Sequence, residues 1–390
     1  MENHEFESFY KQGIVPEGEF KDFIACLKTL LPVTFRISRP SSHSFVQRQI
    51  EQLARELDHS CSNRSQGGGG EEVPSLRFID WYQGPGGSAW QLPASVRVSS
   101  ESSEASKLKL QLDVLASLGL IEYQVEEEVK LPLMSSLAGG RQHDPRTVLD
   151  LCASPGSKTR QILHAIGEVE EAGGEKGEGI VVANDVNAKR CSTMIHQLRA
   201  CGARSCIVTN HDARRFPPLF IAGEEGGNRS LRQLKFDRIL CDVPCSGDGT
   251  MRKAPKIWQT WSVRTSASMH GLQLQIARRG SQLLKPGGLL SYSTCSMNPL
   301  EDEAVVAALL RESNGSLSLV DVHDGRGSCW ETTRLPPPCN LPLQSRNPRC
   351  SSTIAKSTCR ESAWMHLDRC ARILPHAQDT GGFFVAILKK

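Results

Sequence analysis

The sequence predicts an α/β fold, and three observations predict it. Five short apolar runs recur after residue 145: "TVLDLC" (147–152), "GIVVAND" (179–185), "SCIVTNHD" (205–212), "FDRILCD" (236–242) and "GLLSYSTC" (288–295). Helix-compatible stretches separate them, the alternation expected of a parallel sheet with right-handed crossovers. Each run ends in a polar or thiol residue, where open α/β sheets bind their ligands. A Rossmann-like sheet is therefore expected over residues 141–390, closed by a last run, "GGFFVAILKK" (381–390). A smaller mixed N-terminal domain is expected over 1–140.

At 390 residues the chain favours two domains over one. A net charge of +3 leaves a nucleic-acid partner open, because a local basic patch suffices. No apolar run approaches the roughly 18 residues of a membrane span. The opening "MENHEFESFY" is acidic and lacks an apolar core, which argues against secretion. Fourteen cysteines at irregular spacing, without a C-x-x-C pair, argue against a zinc set, so no metal is expected. Most are expected as reduced, buried thiols.

Within the N-terminal domain, "EFKDFIACLKTLL" (19–31) spaces Phe20, Phe23, Ile24, Leu27, Leu30 and Leu31 as one helix face. Linker-like composition marks 65–72, 99–106, 168–179 and a Pro/Ser/Cys-rich insertion near 321–362. "LDLCASPGSKT" (149–159) runs from a strand through a turn at Gly156 into a helix. It has neither the glycine spacing of a P-loop nor that of a dinucleotide fingerprint. The turn can bring backbone amides to a small ligand, and it equally fits an ordinary strand-to-helix connection. Asp185 ends the second strand, where an acid can accept from ribose hydroxyls. Asp212 ends the third, where it could read an adenine edge; each aspartate could instead cap a helix. Together they describe S-adenosylmethionine better than a phosphate-rich cofactor.

"ILCDVPCSGDGTMRK" (239–253) ends the fourth strand at Asp242 and places Cys245 in the turn beyond it, with Cys241 expected in the core. "YSTCSMNPLEDEA" (292–304) ends the fifth at Cys295. There Asn298 is expected as an N-cap and Pro299 as the first helical residue, with Glu301, Asp302 and Glu303 in the first turn. The positive end of that helix dipole would lower the Cys295 thiol pKa. Two thiols and an acid at adjacent strand ends suit one chemistry. A thiolate adding to carbon 6 of cytosine makes carbon 5 nucleophilic enough to take a methyl group, and a second group then assists breakdown of the adduct.

"TMRKAPKIWQTWS" (250–262) sets Arg252, Lys253 and Lys256 beside Trp258 and Trp261, an expected contact with unpaired RNA. The tryptophans fit a core equally well. Arg36 and Arg39, in "FRISRP", form a second basic spot. A base inside a helix cannot be attacked at carbon 6, so the target must be unpaired or flipped out.

Four segments, "CASPGSKT", "DVPCSGDGTMRK", "STCSMNPLEDEAVV" and "RILPHAQDTGGFFVA", closely resemble the Nop/Sun family of RNA cytosine-5 methyltransferases. With "FYKQGIVPEGEF" and "LPVTFRIS" they look most like its eukaryotic tRNA-modifying branch. The resemblance implies a class I S-adenosylmethionine-dependent methyltransferase sheet and an N-terminal region that docks RNA. By that resemblance Cys295 is the nucleophile, Cys245 promotes product release, Asp242 contacts the cytosine and Lys158 orders the site. Cys152, Ala153, Ser154, Pro155, Gly156, Ser157 and Lys158, with Asp185, Asp212 and Asp242, would line the cofactor pocket. Arg36, Arg252, Lys253 and Lys256 would meet RNA. The family's usual Gln-Glu and Pro-Pro run is replaced by "VEEEVKLPLMSSL" (125–137), which bears on substrate docking. The expected activity is methylation of carbon 5 of cytosine in tRNA. The alternatives are the same reaction on ribosomal RNA and a non-catalytic RNA-binding assembly factor. The resemblance also implies the nucleus or nucleolus, with the cytoplasm open, and a monomer is favoured.

Overall fold

In the computed structural model the described residues are 2–32, 34–37, 47–52, 55, 77–78, 89–91, 121–123, 147–171, 179–200, 203–225, 228–321 and 365–390. The chain divides into two compact units, residues 1–29 with 136–390, and residues 30–135. The segments 65–72, 99–106 and 125–137, and the insertion near 321–362 beyond residue 321, lie outside the described residues.

The unit of residues 30–135 contains strands β1 (Thr34–Ile37), β2 (Arg77–Phe78), β3 (Ala89–Gln91) and β4 (Ile121–Tyr123), in the order β2-β3-β1-β4. Every described pairing is antiparallel. Phe35 lies opposite Trp90, and both are buried. Arg36 pairs through its backbone with Ala89 and Glu122; its side chain, like Arg39, lies outside the described residues.

The boundary expected at residue 140 is corrected at the N-terminus, because residues 1–29 pack into the larger unit. Helix α1 (His4–Tyr10) starts on Asn3, whose side chain accepts from the Phe6 amide. Helix α2 (Phe20–Leu27) stops short of the expected Leu31. Phe6, Tyr10, Phe23 and Leu27 recur at helical spacing and bury against Met251, Trp258, Trp261 and Met297. Phe6 meets the two indoles edge-on at 5.3 and 5.0 Å. The Asn3 amide donates to the Trp258 and Trp261 carbonyls at 2.9 and 3.0 Å. Of the two readings left open for the tryptophans, the structure therefore takes the core one. Each such ring contributes roughly 1.5–3 kcal/mol of apolar burial.

The main sheet is built from β5 (Thr147–Asp150), β6 (Ile180–Asn184), β7 (Cys206–Thr209), β10 (Phe236–Asp242), β11 (Leu284–Thr294), β12 (Ser318–Val320), β13 (Ala371–Ile373) and β14 (Phe383–Lys389). Between β7 and β10 the chain forms a separate hairpin of β8 (Leu219–Glu225) and β9 (Asn228–Leu234), which the sequence reading did not anticipate. Strand order is β12-β14-β11-β10-β5-β6-β7, with β13 alongside β14. The five expected strands run parallel, while β14 is inserted antiparallel between β11 and β12. The apolar runs of β5 and β6 are continuous rather than alternating because both faces are covered, while the edge strand β7 leaves Ile207 exposed. Helices α3 (Ser157–Glu171), α4 (Ala188–Ala200), α5 (Val263–Leu283) and α6 (Glu303–Glu312) connect the strands. α3 continues into the segment expected as a linker from 168.

Chain order reverses between β5 and β10: β6 and β7 build outward on one side, β11 on the other. Such a switch point opens a crevice at the carboxyl ends of the strands.

Candidate active site

β10 and β11 are parallel neighbours with Asp242 opposite Ser293, so the chain leaves both strands at the same level. The two turns beyond carry Cys245 and Cys295, both half-buried, with their sulfurs 3.2 Å apart. Gly247 takes a left-handed turn (φ 72°) beneath them, which favours glycine. Gly249 donates to the Cys295 carbonyl at 2.9 Å and accepts from the Gly382 amide at 2.7 Å. A Cβ on Gly249 would sit 2.2 Å from the Gly382 oxygen, so only glycine lets the three segments touch.

Lys158, in the first turn of α3, forms an ion pair with Asp242 at 2.5 Å. The other carboxylate oxygen of Asp242 accepts from Ser293 Oγ at 2.8 Å. The crevice between β5 and β10 is thus bridged by a lysine and an acid, both partly accessible.

The turn from Cys152 to Ser157 carries a cis Ser154–Pro155 bond and a left-handed Gly156 (φ 109°). Ala153 donates to the Asn184 carbonyl at 2.8 Å, tying the turn to the end of β6. Ser154 Oγ is buried, with no hydrogen-bond partner among the described residues. Pro155 is exposed, while Ser157 and Cys152 are half-buried. Burial pushes the Cys152 thiol well up, so it stays neutral. Asp185 is buried at the end of β6, accepting from the Asn187 amide at 2.8 Å, with Arg190 at 3.6 Å. Asp212 takes its ordinary alternative role: it caps the helical turn 213–215 and is gripped by Arg214 at 2.6 Å. That hydrogen bond, with the guanidinium charge, holds its carboxyl below the usual range.

Arg252 does not face solvent, which corrects its assignment to RNA contact. It is 2% exposed, pairs with Asp379 at 2.6 Å and donates to the Thr380 carbonyl and to Thr29. Its long stem fills space between the N-terminal segment and the end of the chain. Lys253 and Lys256 are exposed.

The acids after Cys295 are also corrected. Residues 299–302 form a turn, and α6 begins only at Glu303, with Asp302 at the N-cap position and Asn298 holding the Leu300 amide. No helix end therefore abuts Cys295 as expected. Glu301, Asp302 and Glu303 are all buried. Asp302 accepts from Thr294 Oγ1 at 2.7 Å, and Glu303 pairs with buried Arg372 at 2.5 Å. Burial raises both carboxyls, with the Arg372 charge opposing. Glu301 accepts from the Ser246 amide (2.8 Å), Ser246 Oγ (2.5 Å), Ser296 Oγ (3.1 Å) and Gln273 Nε2 (2.9 Å). Asp248 accepts from the Tyr10 phenol, Trp261 Nε1 and the Met297 amide. Sequence reasoning missed Glu301 and Asp248 as site residues. The signal was three acids beside a strand end, which reads identically for an exposed helix start.

The Cys245 thiol is held protonated well above its usual value, first by the hydrogen bond with Cys295, then by burial and the charges of Glu301 and Asp248. No group of three His, Cys, Asp or Glu placed to hold a metal occurs among the described residues.

Residues 140–389 match the family model described as 16S rRNA methyltransferase RsmB/F. The chain belongs to the RsmB/F methyltransferase family. Relatives of this RsmB/F chain include the multisite-specific tRNA:(cytosine-C(5))-methyltransferase trm4b of Schizosaccharomyces pombe, 35% identical over 100% of this chain and 59% of that protein. The multisite-specific tRNA:(cytosine-C(5))-methyltransferase of Saccharomyces cerevisiae is 34% identical over 100% of this chain and 55% of its own length. The ribosomal RNA small subunit methyltransferase F of Escherichia fergusonii is 29% identical, over 69% of this chain and 44% of that one. The RsmB/F chain thus spans little more than half the length of the curated relatives it matches most fully. Among solved structures, a methyltransferase homologue from Pyrococcus horikoshii has a TM-score of 0.60 at 21% identity, covering 99% of this chain and 94% of that one. NSun6 from Pyrococcus horikoshii has a TM-score of 0.59 at 15% identity, over 100% and 98%. These two share the fold.

Proposed function

We propose that the chain transfers a methyl group from S-adenosylmethionine to carbon 5 of cytosine in tRNA. The observation that carries this reading is the pair Cys245 and Cys295, 3.2 Å apart at neighbouring strand ends beside the Lys158–Asp242 pair.

The residues present fit the cofactor. A buried Ser154 Oγ with no partner among the described residues, a buried acid at Asp185 and the backbone around Gly156 suit hydroxyls and a cationic centre. The nearby lysine is already committed to Asp242, so no triphosphate cradle forms. When bound, S-adenosylmethionine supplies an electrophilic methyl group on a sulfonium. The chain's own groups do the rest. Cys295 gives up its thiol proton to solvent and adds its sulfur to carbon 6, pushing the ring electrons to carbon 5, which would take the methyl group as its bond to the sulfonium sulfur breaks. Asp242, oriented by Lys158 and Ser293, accepts from the exocyclic amine of the base. Once Cys295 is bonded to carbon 6, its sulfur no longer holds the Cys245 proton. Cys245 then loses its own proton to solvent more easily, and its thiolate takes the proton from carbon 5. The electrons of that C–H bond re-form the 5,6 double bond, and those of the C–S bond return to Cys295.

The tRNA preference draws support from coverage. The relatives named as tRNA methyltransferases of the two yeasts match the whole chain, whereas the E. fergusonii ribosomal RNA enzyme matches 69% of it. A second reading, ribosomal RNA as substrate, draws on the description of the family model.

The test incubates the purified chain with labelled S-adenosylmethionine and separate pools of unmodified tRNA and ribosomal RNA, then maps methylcytidine. Label on tRNA that disappears with Cys295→Ala is expected. Label confined to ribosomal RNA would overturn the substrate class. Cys245→Ala is expected to leave protein trapped on RNA in a denaturing gel, and free RNA there would remove Cys245 from the release step.

A further inference from the structure

Glu301 lies at the bottom of the site and holds both cysteine turns at once. Ser246 directly follows Cys245, Ser296 directly follows Cys295, and the same carboxylate accepts from both hydroxyls. The Ser246 amide and the Gln273 side chain of α5 complete four donors, all neutral. Among the described residues none of its partners is a cation, although the group is fully buried. Four neutral donors satisfy a carboxylate's lone pairs without cancelling its charge. A structural staple would be served as well by an amide or a well-packed apolar pair. An uncancelled charge placed beneath two thiols has a chemical consequence, which an amide would lack.

We propose that Glu301 is a positioning residue for the release step, fixing the distance between the two sulfurs and keeping a negative charge beneath Cys245. This rests on the assignment of Cys295 as nucleophile and Cys245 as the base. The charged and titratable groups facing Cys245 are Cys295 and Tyr292 on the β11 side, Asp248 in its own turn, and Glu301. The charge of Glu301 opposes loss of the Cys245 proton. It therefore makes the thiolate, once formed, a stronger acceptor for the proton on carbon 5. Removing the charge while keeping the shape should leave adduct formation nearly intact and, at pH values where Cys245 is already ionised, impair breakdown.

The test compares wild type, Glu301→Gln and the double variant Ser246→Ala/Ser296→Ala. It measures adduct formation in a single turnover, adduct decay, and the pH dependence of decay. In Glu301→Gln, decay on the high-pH plateau, where Cys245 is ionised in both proteins, is expected to slow about tenfold to a hundredfold. Formation should change by less than about threefold, and trapped RNA should accumulate. The rising limb of decay against pH should move to lower pH, because a charge that held the proton on Cys245 is gone. The serine double variant loosens the clamp but keeps the charge, so decay should slow without that move. Equal losses in formation and decay, or an unmoved limb in Glu301→Gln, would overturn the proposal. Should Glu301→Gln fail to fold, wild-type decay in the serine double variant would overturn it. Cys245→Ala run in parallel separates the two levels: trapping there with none in Glu301→Gln removes only the role of Glu301, and no trapping in Cys245→Ala removes the reading beneath it.

Discussion

The Tyr10 phenol donates a hydrogen bond to the carboxylate of Asp248, 238 residues away, within the turn that carries Cys245. The first helix of the chain is thereby built into the floor of the site. Asp248 also holds the Met297 amide, so one buried acid links α1, the Cys245 turn and the Cys295 turn.

Burial, then the Glu301 charge, pushes Asp248 up to about 6. Its folded pKa lies above the unfolded one, so the folded state binds more protons between the two. Its contribution to stability is thus greatest at low pH and is lost as pH rises toward 6. Tyr10→Phe removes a donor that stabilises the ionised form. It is expected to cost about 1–3 kcal/mol, with a larger deficit at pH 8 than at pH 5. Urea denaturation at the two pH values measures this, and an equal deficit would assign the cost to packing alone.

Asp150, fully buried just before the Cys152–Ser157 turn, is pushed up to about 7 by burial, against a hydrogen bond from Thr159. The same sign applies: ionising it opposes folding, so stability falls as pH rises from about 4 through 7. Asp150→Asn mimics the protonated acid. Melting temperatures between pH 5 and 8 are expected to fall less steeply in the variant. The difference corresponds to a stability change on the order of 2–4 kcal/mol across that window. Parallel melting curves would remove Asp150 from the acid–base balance of the fold.

Arg252 and its neighbours Lys253 and Lys256 separate by burial, and their variants should separate by readout. Arg252→Ala strands polar groups of Thr29, Thr380 and Asp379, and is expected to cost about 2–4 kcal/mol of stability, since the Asp379 end of the pair is exposed. Lys253→Ala and Lys256→Ala should leave the melt within about 0.5 kcal/mol. Each should lower RNA affinity and reduce the slope of binding against salt by about one. A stable Arg252→Ala protein with weakened, salt-sensitive RNA binding would reverse the correction made above.

The five parallel strands, their polar ends and the two thiols outside them were legible in the sequence. Those features are local: an apolar run bounded by turns forms a strand wherever it is buried, and a cysteine one turn beyond it stays near the edge. The antiparallel placement of β14 was not legible, because pairing between residues as distant as Leu289 with Lys389 and Thr294 with Phe384 leaves no local period. Nor was the inward turning of Arg252, Trp258, Trp261 and the acids 301–303. A cation beside two indoles, or three acids before a helix, has the same composition whether it meets solvent or a core. What the sequence by itself determined was the set of an acid and two thiols at the strand ends. Only the tertiary structure decided which charges are buried beneath it, because burial depends on what long-range packing lays over each residue.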